Sequence, residues 1–159
     1  MTEQKPSHIA ADGSISMVDV SHKAESARMA RAQALVRMSP SAQKALREAT
    51  LPKGDALVAA QVAGIMAAKA TSTLIPLAHP VALASVDVRF EWTADGALRI
   101  ESEARTVAVT GVEMEALVAV SVAALTIYDM TKALDKGICV EAICLLEKTG
   151  GKSGSWSRP

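Results

Sequence analysis

Aromatic residues are nearly missing from this 159-residue chain: Phe90, Trp92, Tyr128 and Trp156 make up 3% of it. A single-strand nucleic-acid binder that stacks bases on rings therefore lacks its platforms. An excess of positive charge is also missing. Lys plus Arg is 17 and Asp plus Glu is 17, whereas a duplex binder carries a basic surplus. Nucleic acid is thus no expected partner, and any anionic ligand must be met by a local cluster of cations. Cysteine is scarce. Cys139 and Cys144 lie five apart in a segment that reads as a strand, and an odd separation there points two side chains to opposite faces. That reading excludes both a disulfide and a shared metal. His8, His22 and His79 are scattered without a pair at ligand spacing. The first residues, MTEQKPSHIAADGS, contain no apolar run and so no secretory signal. The longest uncharged stretch, residues 116–128, falls short of the roughly 18 residues of a membrane span. Together these absences point to a cytoplasmic protein that needs no metal.

What is present is aliphatic. Half of the residues are hydrophobic, and a chain of this size suits one domain burying about 68–70% of its unfolded surface. Residues 1–14 are polar and read as mobile, and residues 15–159 as a single domain. Residues 17–21 form a short extended piece. Residues 23–38, with Arg28, Arg31 and Arg37 among alanines, read as a helix. Ser39-Pro40 supplies an N-cap and a proline at the first helical position, starting a short helix to about Ala49. Residues 51–55 are a loop, and the alanine-rich run 56–70 is helical. Two prolines exclude regular structure from LIPLAHP (74–80). Alternation over 86–92, the turn Asp95-Gly96 and a partner over 98–109 make a hairpin, with Ile100, Ser102 and Ala104 on one face. Thr110-Gly111 precedes a long helix over about 112–134. A last strand, 138–146, leads into a flexible Gly/Lys tail at 147–159. The order implies an α+β domain, one antiparallel sheet covered on one face by helices. The long helix is apolar on nearly all sides, so burial against other subunits is expected as well.

Within that helix Asp129 and Lys132 are three apart and share a face. A carboxylate and an ammonium so placed suit proton transfer, with pKa values shifted by burial; they equally suit an ordinary surface ion pair. Glu113 and Glu115 open the same helix, where its dipole favours carboxylates. His79 sits in the proline-stiffened loop, which fixes its direction for ligand contact, although a loop histidine is often simply solvated. Lys53 precedes Gly54 at a helix start, a setting that favours anions. Lys148 and Lys152 flank Gly150 and Gly151. The ending GGKSG is no phosphate loop, because the glycine required upstream is Leu146. The residues thus describe an oligomeric domain equipped for a phosphorylated small molecule.

MVDVSHKAE (17–25), PKGD (52–55), LIPLAHP (74–80), TGVEMEALVAVSVAALTIYDMTKA (110–133) and EKTGGKSG (147–154) together resemble the signature blocks of the cyclic pyranopterin monophosphate synthase family of molybdenum-cofactor biosynthesis. The blocks occur in the family's order over most of the chain. The resemblance implies a ferredoxin-like subunit in a homohexamer, a trimer of dimers with active sites at subunit interfaces. It implies conversion of (8S)-3′,8-cyclo-7,8-dihydroguanosine 5′-triphosphate to cyclic pyranopterin monophosphate, with pyrophosphate released, a phosphorus–oxygen lyase reaction. It makes Asp129 the catalytic acid/base with Lys132 and Lys53 as partners. Leu77, Ala78, His79, Glu113, Met114 and Glu115 would line the substrate pocket, and Arg28, Lys148 and Lys152 would meet the triphosphate. No cofactor is required, and Mg²⁺ on the substrate phosphates is compatible with the scheme. Ala78 and Thr131 stand where the family often has cysteine. Ala108 and Val109 stand where relatives commonly have a glycine and a basic residue, a departure that removes a candidate phosphate contact. The competing reading is a non-catalytic nucleotide-binding oligomer of the same fold; a purely structural assembly protein leaves the histidine loop and the lysine tail unexplained.

Overall fold

The computed structural model describes residues 12–152 and 154–159. The expectation for residues 1–11 therefore lies outside the described residues. In chain order the elements are β1 (Ser26–Arg37), α1 (Pro40–Arg47), α2 (Ala56–Lys69), α3 (Thr71–Leu74), β2 (Ser85–Trp92), β3 (Leu98–Ala108), α4 (Glu113–Thr131), β4 (Cys139–Thr149) and β5 (Trp156–Ser157). The sheet runs β2-β3-β1-β4-β5, and every pairing is antiparallel. This is the ferredoxin-like α+β arrangement.

The largest departure from the sequence reading is β1. Residues 26–37 form the central strand of the sheet, where composition suggested a helix. Ala30, Ala32, Ala34 and Val36 are fully buried, while Arg31, Gln33 and Leu35 between them are only partly so. That alternation has the period of a strand, masked by alanine and arginine, which favour helices. Small side chains are needed at these positions because α4 lies against them with alanines of its own: Ala116, Ala119, Ala123 and Ala124 are all fully buried. Pairing on both edges, with β3 and β4, supplies what intrinsic strand preference does not.

Other elements follow their local signals. Ser39 caps α1, and its Oγ accepts from Ala42 N at 3.4 Å. Asp55 caps α2, its Oδ1 accepting from Leu57 N at 3.0 Å and Val58 N at 3.2 Å. The hairpin turns at Gly96, and Ile100, Ser102 and Ala104 are buried on its inner face. Ser102 is satisfied there, its Oγ donating to Ala116 O at 2.7 Å. Gly64 marks a close approach of α2 to α4. A Cβ there would lie 2.9 Å from Ala119 O and 3.2 Å from a Val88 methyl. Gly64→Val is accordingly expected to cost roughly 1–3 kcal/mol through overpacking, read as a lower urea midpoint with an unchanged slope.

Two expectations about β4 need correction. The strand runs on to Thr149, and β5 returns to pair with it (Glu147 with Ser157, Lys148 with Trp156), so the tail is not unstructured from residue 147. The strand is also bulged. Arg37 faces Cys139 and Gln33 faces Cys144, with a register shift between Gln33 and Leu35 and Ala142 in the left-handed region at φ 51°. The bulge cancels the odd spacing, so the two cysteines share a face. They remain free for a different reason: they oppose positions four apart on β1, about 13 Å along the strand, well beyond disulfide reach.

Helix α4 has 19 residues and a mean hydropathy of 1.4, long and apolar enough to cross a membrane by length and composition. The shortness of the uncharged run therefore does not exclude a span; packing does the explaining. One side of α4 lies on β1, β3 and β4 and another on α2. The chain thus covers more of this helix than the sequence suggested. The apolar residues that stay exposed on the helical layer include Val58, Val62 and Met66, one turn apart along α2, and Leu125 of α4.

Candidate active site

The proposed site residues assemble into two groups at opposite ends of α4. At its C-terminal end, Asp129 projects from the last turn. The loop before α2 brings Lys53 beside it, turning at Gly54, whose φ of +95° suits glycine. Lys53 Nζ donates to Asp129 Oδ2 at 3.0 Å and to Asp129 O at 3.0 Å. Lys132 Nζ donates to Asp129 Oδ1 at 2.7 Å. Each carboxylate oxygen is thus held by its own ammonium. The hydrogen bond from Lys132, then that from Lys53, pulls the Asp129 carboxyl below its ordinary range, and Asp129 in turn raises Lys132. The sequence reading expected burial to shift this pair; in the single chain Asp129 is exposed, and the shift comes from the lysines. These residues, with Tyr128, Ala133 and Lys136, line an open cleft of about 400 Å³. Lys136 escaped the sequence reading; it lies in the turn that follows the end of α4.

At the N-terminal end of α4 a second cavity of about 380 Å³ is lined by Leu77, Ala78, His79, Glu113, Met114 and Glu115. Val18, Val20, Lys23, Thr110 and Gly111 complete it. Every residue assigned to the base-and-sugar pocket by resemblance is brought together here. His79 Nε2 lies 2.8 Å from Val18 O. A carbonyl only accepts, so Nε2 carries the proton and the loop tethers the segment 17–21, whose Val18 and Val20 line the cavity.

Glu115 is 4% exposed, and no side chain among the described residues hydrogen-bonds to it. Lys148 reaches Glu113 instead, at 3.5 Å. Burial pushes the Glu115 carboxyl above its ordinary range, and the charge of Glu113 adds to the rise. A carboxyl raised in the fold contributes most stability when protonated, and that contribution is lost as pH climbs from the ordinary range through the raised value. Glu115→Gln is therefore expected to melt a few degrees above wild type at pH 8 and level with it at pH 4, as calorimetry across that range would read.

A third recess adjoins the second cavity. His22, Lys23, Arg28, Gly151 and Lys152 line it, together with Ala24, Glu25 and Ser26. Lys23 borders both spaces, a role the sequence reading missed; its only signal was its place inside the MVDVSHKAE block. Among the described residues no group of three or more His, Cys, Asp or Glu could hold a metal ion.

Along the helix axis Glu115 and Asp129 are about 21 Å apart at 1.5 Å per residue. The two halves therefore do not meet within one chain.

Residues 17–151 match the model of the MoaC family. Similar curated proteins bear the name cyclic pyranopterin monophosphate synthase. The one from Corynebacterium efficiens is 55% identical over 150 residues, covering 94% of this chain and 96% of its own. The one from Novosphingobium aromaticivorans is 56% identical over 149 residues, 94% of each. The one from Bacillus velezensis is 48% identical over 155 residues, 96% of this chain and 91% of its own.

Proposed function

Because this chain belongs to the MoaC family, we propose that it converts (8S)-3′,8-cyclo-7,8-dihydroguanosine 5′-triphosphate to cyclic pyranopterin monophosphate and pyrophosphate, in molybdenum-cofactor biosynthesis. The observation that carries the reading is the Lys53–Asp129–Lys132 cluster. Three charged side chains from two distant parts of the chain converge with each carboxylate oxygen paired.

The reaction asks for proton transfers at nitrogens as the five-membered ring opens and a pterin closes, and Asp129 is the acid/base offered for them. Lys132 and Lys53 fix its orientation and oppose negative charge that develops nearby. Closure of the cyclic phosphate is attack of a sugar hydroxyl on the α-phosphorus, breaking the bond to the pyrophosphate oxygen, a phosphorus–oxygen lyase step. Lys152, which lines the third recess, and Lys148, beside Glu113, are the candidates to neutralise the triphosphate. His79, Met114 and the Leu77–Ala78 backbone are candidates to hold the base and sugar, with Glu113 and Glu115 beside them. Cofactor-free chemistry, with Mg²⁺ at most accompanying the phosphates, suits this set.

The active unit is a homo-oligomer, a hexamer built as a trimer of dimers, in which the α4 C-terminal cleft of one subunit faces the α4 N-terminal cavity of another. Two observations support it: the halves lie too far apart within one chain to share a nucleotide, and Val58, Val62, Met66 and Leu125 leave an apolar face uncovered. Cytoplasmic residence accords with a small-molecule substrate.

Incubation of the purified protein with the cyclised GTP derivative tests the reading directly. Pyrophosphate and pterin are expected in equal amounts. Nucleotide binding without either product would replace this reading with the non-catalytic oligomer.

A further inference from the structure

The Arg28 side chain is not directed only toward the recess it borders. Its Nε donates to Ala108 O at 2.8 Å and its Nη2 to Val109 O at 3.0 Å. One edge of the guanidinium fork, the edge that would otherwise grip a phosphate, is thus spent on two successive backbone carbonyls. The first ends β3 and the second follows it, immediately before Thr110 and Gly111, which line the cavity at the start of α4. The third nitrogen, Nη1, lies against Gly151, so closely that a Cβ at Gly151 would collide with it. Gly150 is pressed in the same way on Ala27 O. Both glycines have positive φ, +89° and +75°, as the turn that leads from Lys148 to Lys152 requires.

One planar side chain rising from β1 therefore touches both the β3–α4 junction and the Gly150–Gly151 turn. The first carries Glu113 and Glu115; the second lies between Lys148 and Lys152. We infer that Arg28 is a positioning residue, a strut that sets the lysine-bearing turn relative to the start of α4, in the enzyme whose activity is proposed above. The contacts on Ala108 and Val109 are made to main-chain oxygens, so they do not depend on which side chains stand there. The unusual Ala108-Val109 pair is consequently compatible with an intact strut. Lysine cannot replace arginine in this role, because a single ammonium cannot span two carbonyls and still fill the space beside Gly151.

The test compares wild type, Arg28→Lys, Gly151→Ala and the double variant, all as the assembled protein. Hydrogen exchange is read over residues 108–112 and 149–152, and steady-state pyrophosphate release is measured alongside. The strut predicts that Arg28→Lys and Gly151→Ala each raise exchange in both segments together by about tenfold or more, equivalent to about 1.4 kcal/mol. The double variant should be no worse than the more affected single. In turnover, kcat should fall by about tenfold to a hundredfold, as small misplacements of reacting groups produce, with KM changed far less. Wild-type exchange in Arg28→Lys overturns the strut, and so does a rise confined to one segment or an additive double variant. A rise in KM with kcat preserved would identify Arg28 as a phosphate ligand instead. Exchange is read without substrate, so failure of the proposed reaction would show separately, as absent turnover in wild type, and would leave the exchange comparison unaffected.

Discussion

Asp129→Asn is expected to lower pyrophosphate release by roughly a thousandfold, within the range of about 10²–10⁴ that a positioned proton-transfer group contributes. Shape is retained, and only the charge and the capacity to take a proton are lost. Melting should barely change, because Asp129 is exposed and its partners are surface lysines, whose pairs contribute little to folding. What stability the charge gives is present above the ordinary carboxylate range and is lost as pH falls through the depressed value. Wild type and variant should therefore converge in acid. Loss of activity with unchanged melting separates a chemical role from the surface ion pair that spacing alone equally allowed. Normal turnover by Asp129→Asn would remove this carboxylate from the mechanism.

Mixing two inactive variants should restore activity. Asp129→Asn disables the cleft at the C-terminal end of α4, and His79→Ala disables the cavity at its N-terminal end. Were both ends needed from the same chain, no mixture would regain turnover. If each active site takes one end from each of two subunits, random co-assembly leaves about a quarter of sites with both halves intact. Co-refolding equal amounts should then yield about a quarter of wild-type turnover, against almost none for either parent. The expectation is sharp because the halves are about 21 Å apart along a rigid helix, and bending within one subunit does not close that gap. A mixture as inactive as its parents, with mixed assembly verified by mass, would refute the shared site. Light scattering supplies a second check, since a mass near 16.6 kDa would exclude any shared site.

Helix α1 was readable because it carries its own punctuation, Ser39-Pro40, and α2 because its alanine-rich run follows the loop 51–55. The hairpin was readable because Asp95-Gly96 sits between alternating runs. β1 was not, since its buried residues are mostly alanines whose local preference is helical, and their alternation acquires meaning only once α4 packs on them. The parity of Cys139 and Cys144 failed for a related reason. A bulge is a matter of pairing with β1, and nothing within residues 139–144 announces it.

The chemistry divides along the same line. The sequence by itself determined which groups are available: Lys53, His79, Glu113, Glu115, Asp129 and Lys132 stand in motifs specific enough to indicate a family. Chain order does not carry distance, so only the tertiary structure decided how they are partitioned. Loop closure at Gly54 brings Lys53 across 76 residues to Asp129, whereas the rigidity of α4 keeps Glu115, only fourteen residues from Asp129 in the chain, at the far end of the molecule. The structure likewise decided that Arg28 leans on main-chain carbonyls, because strand pairing places Arg28 opposite Thr106, beside the end of β3.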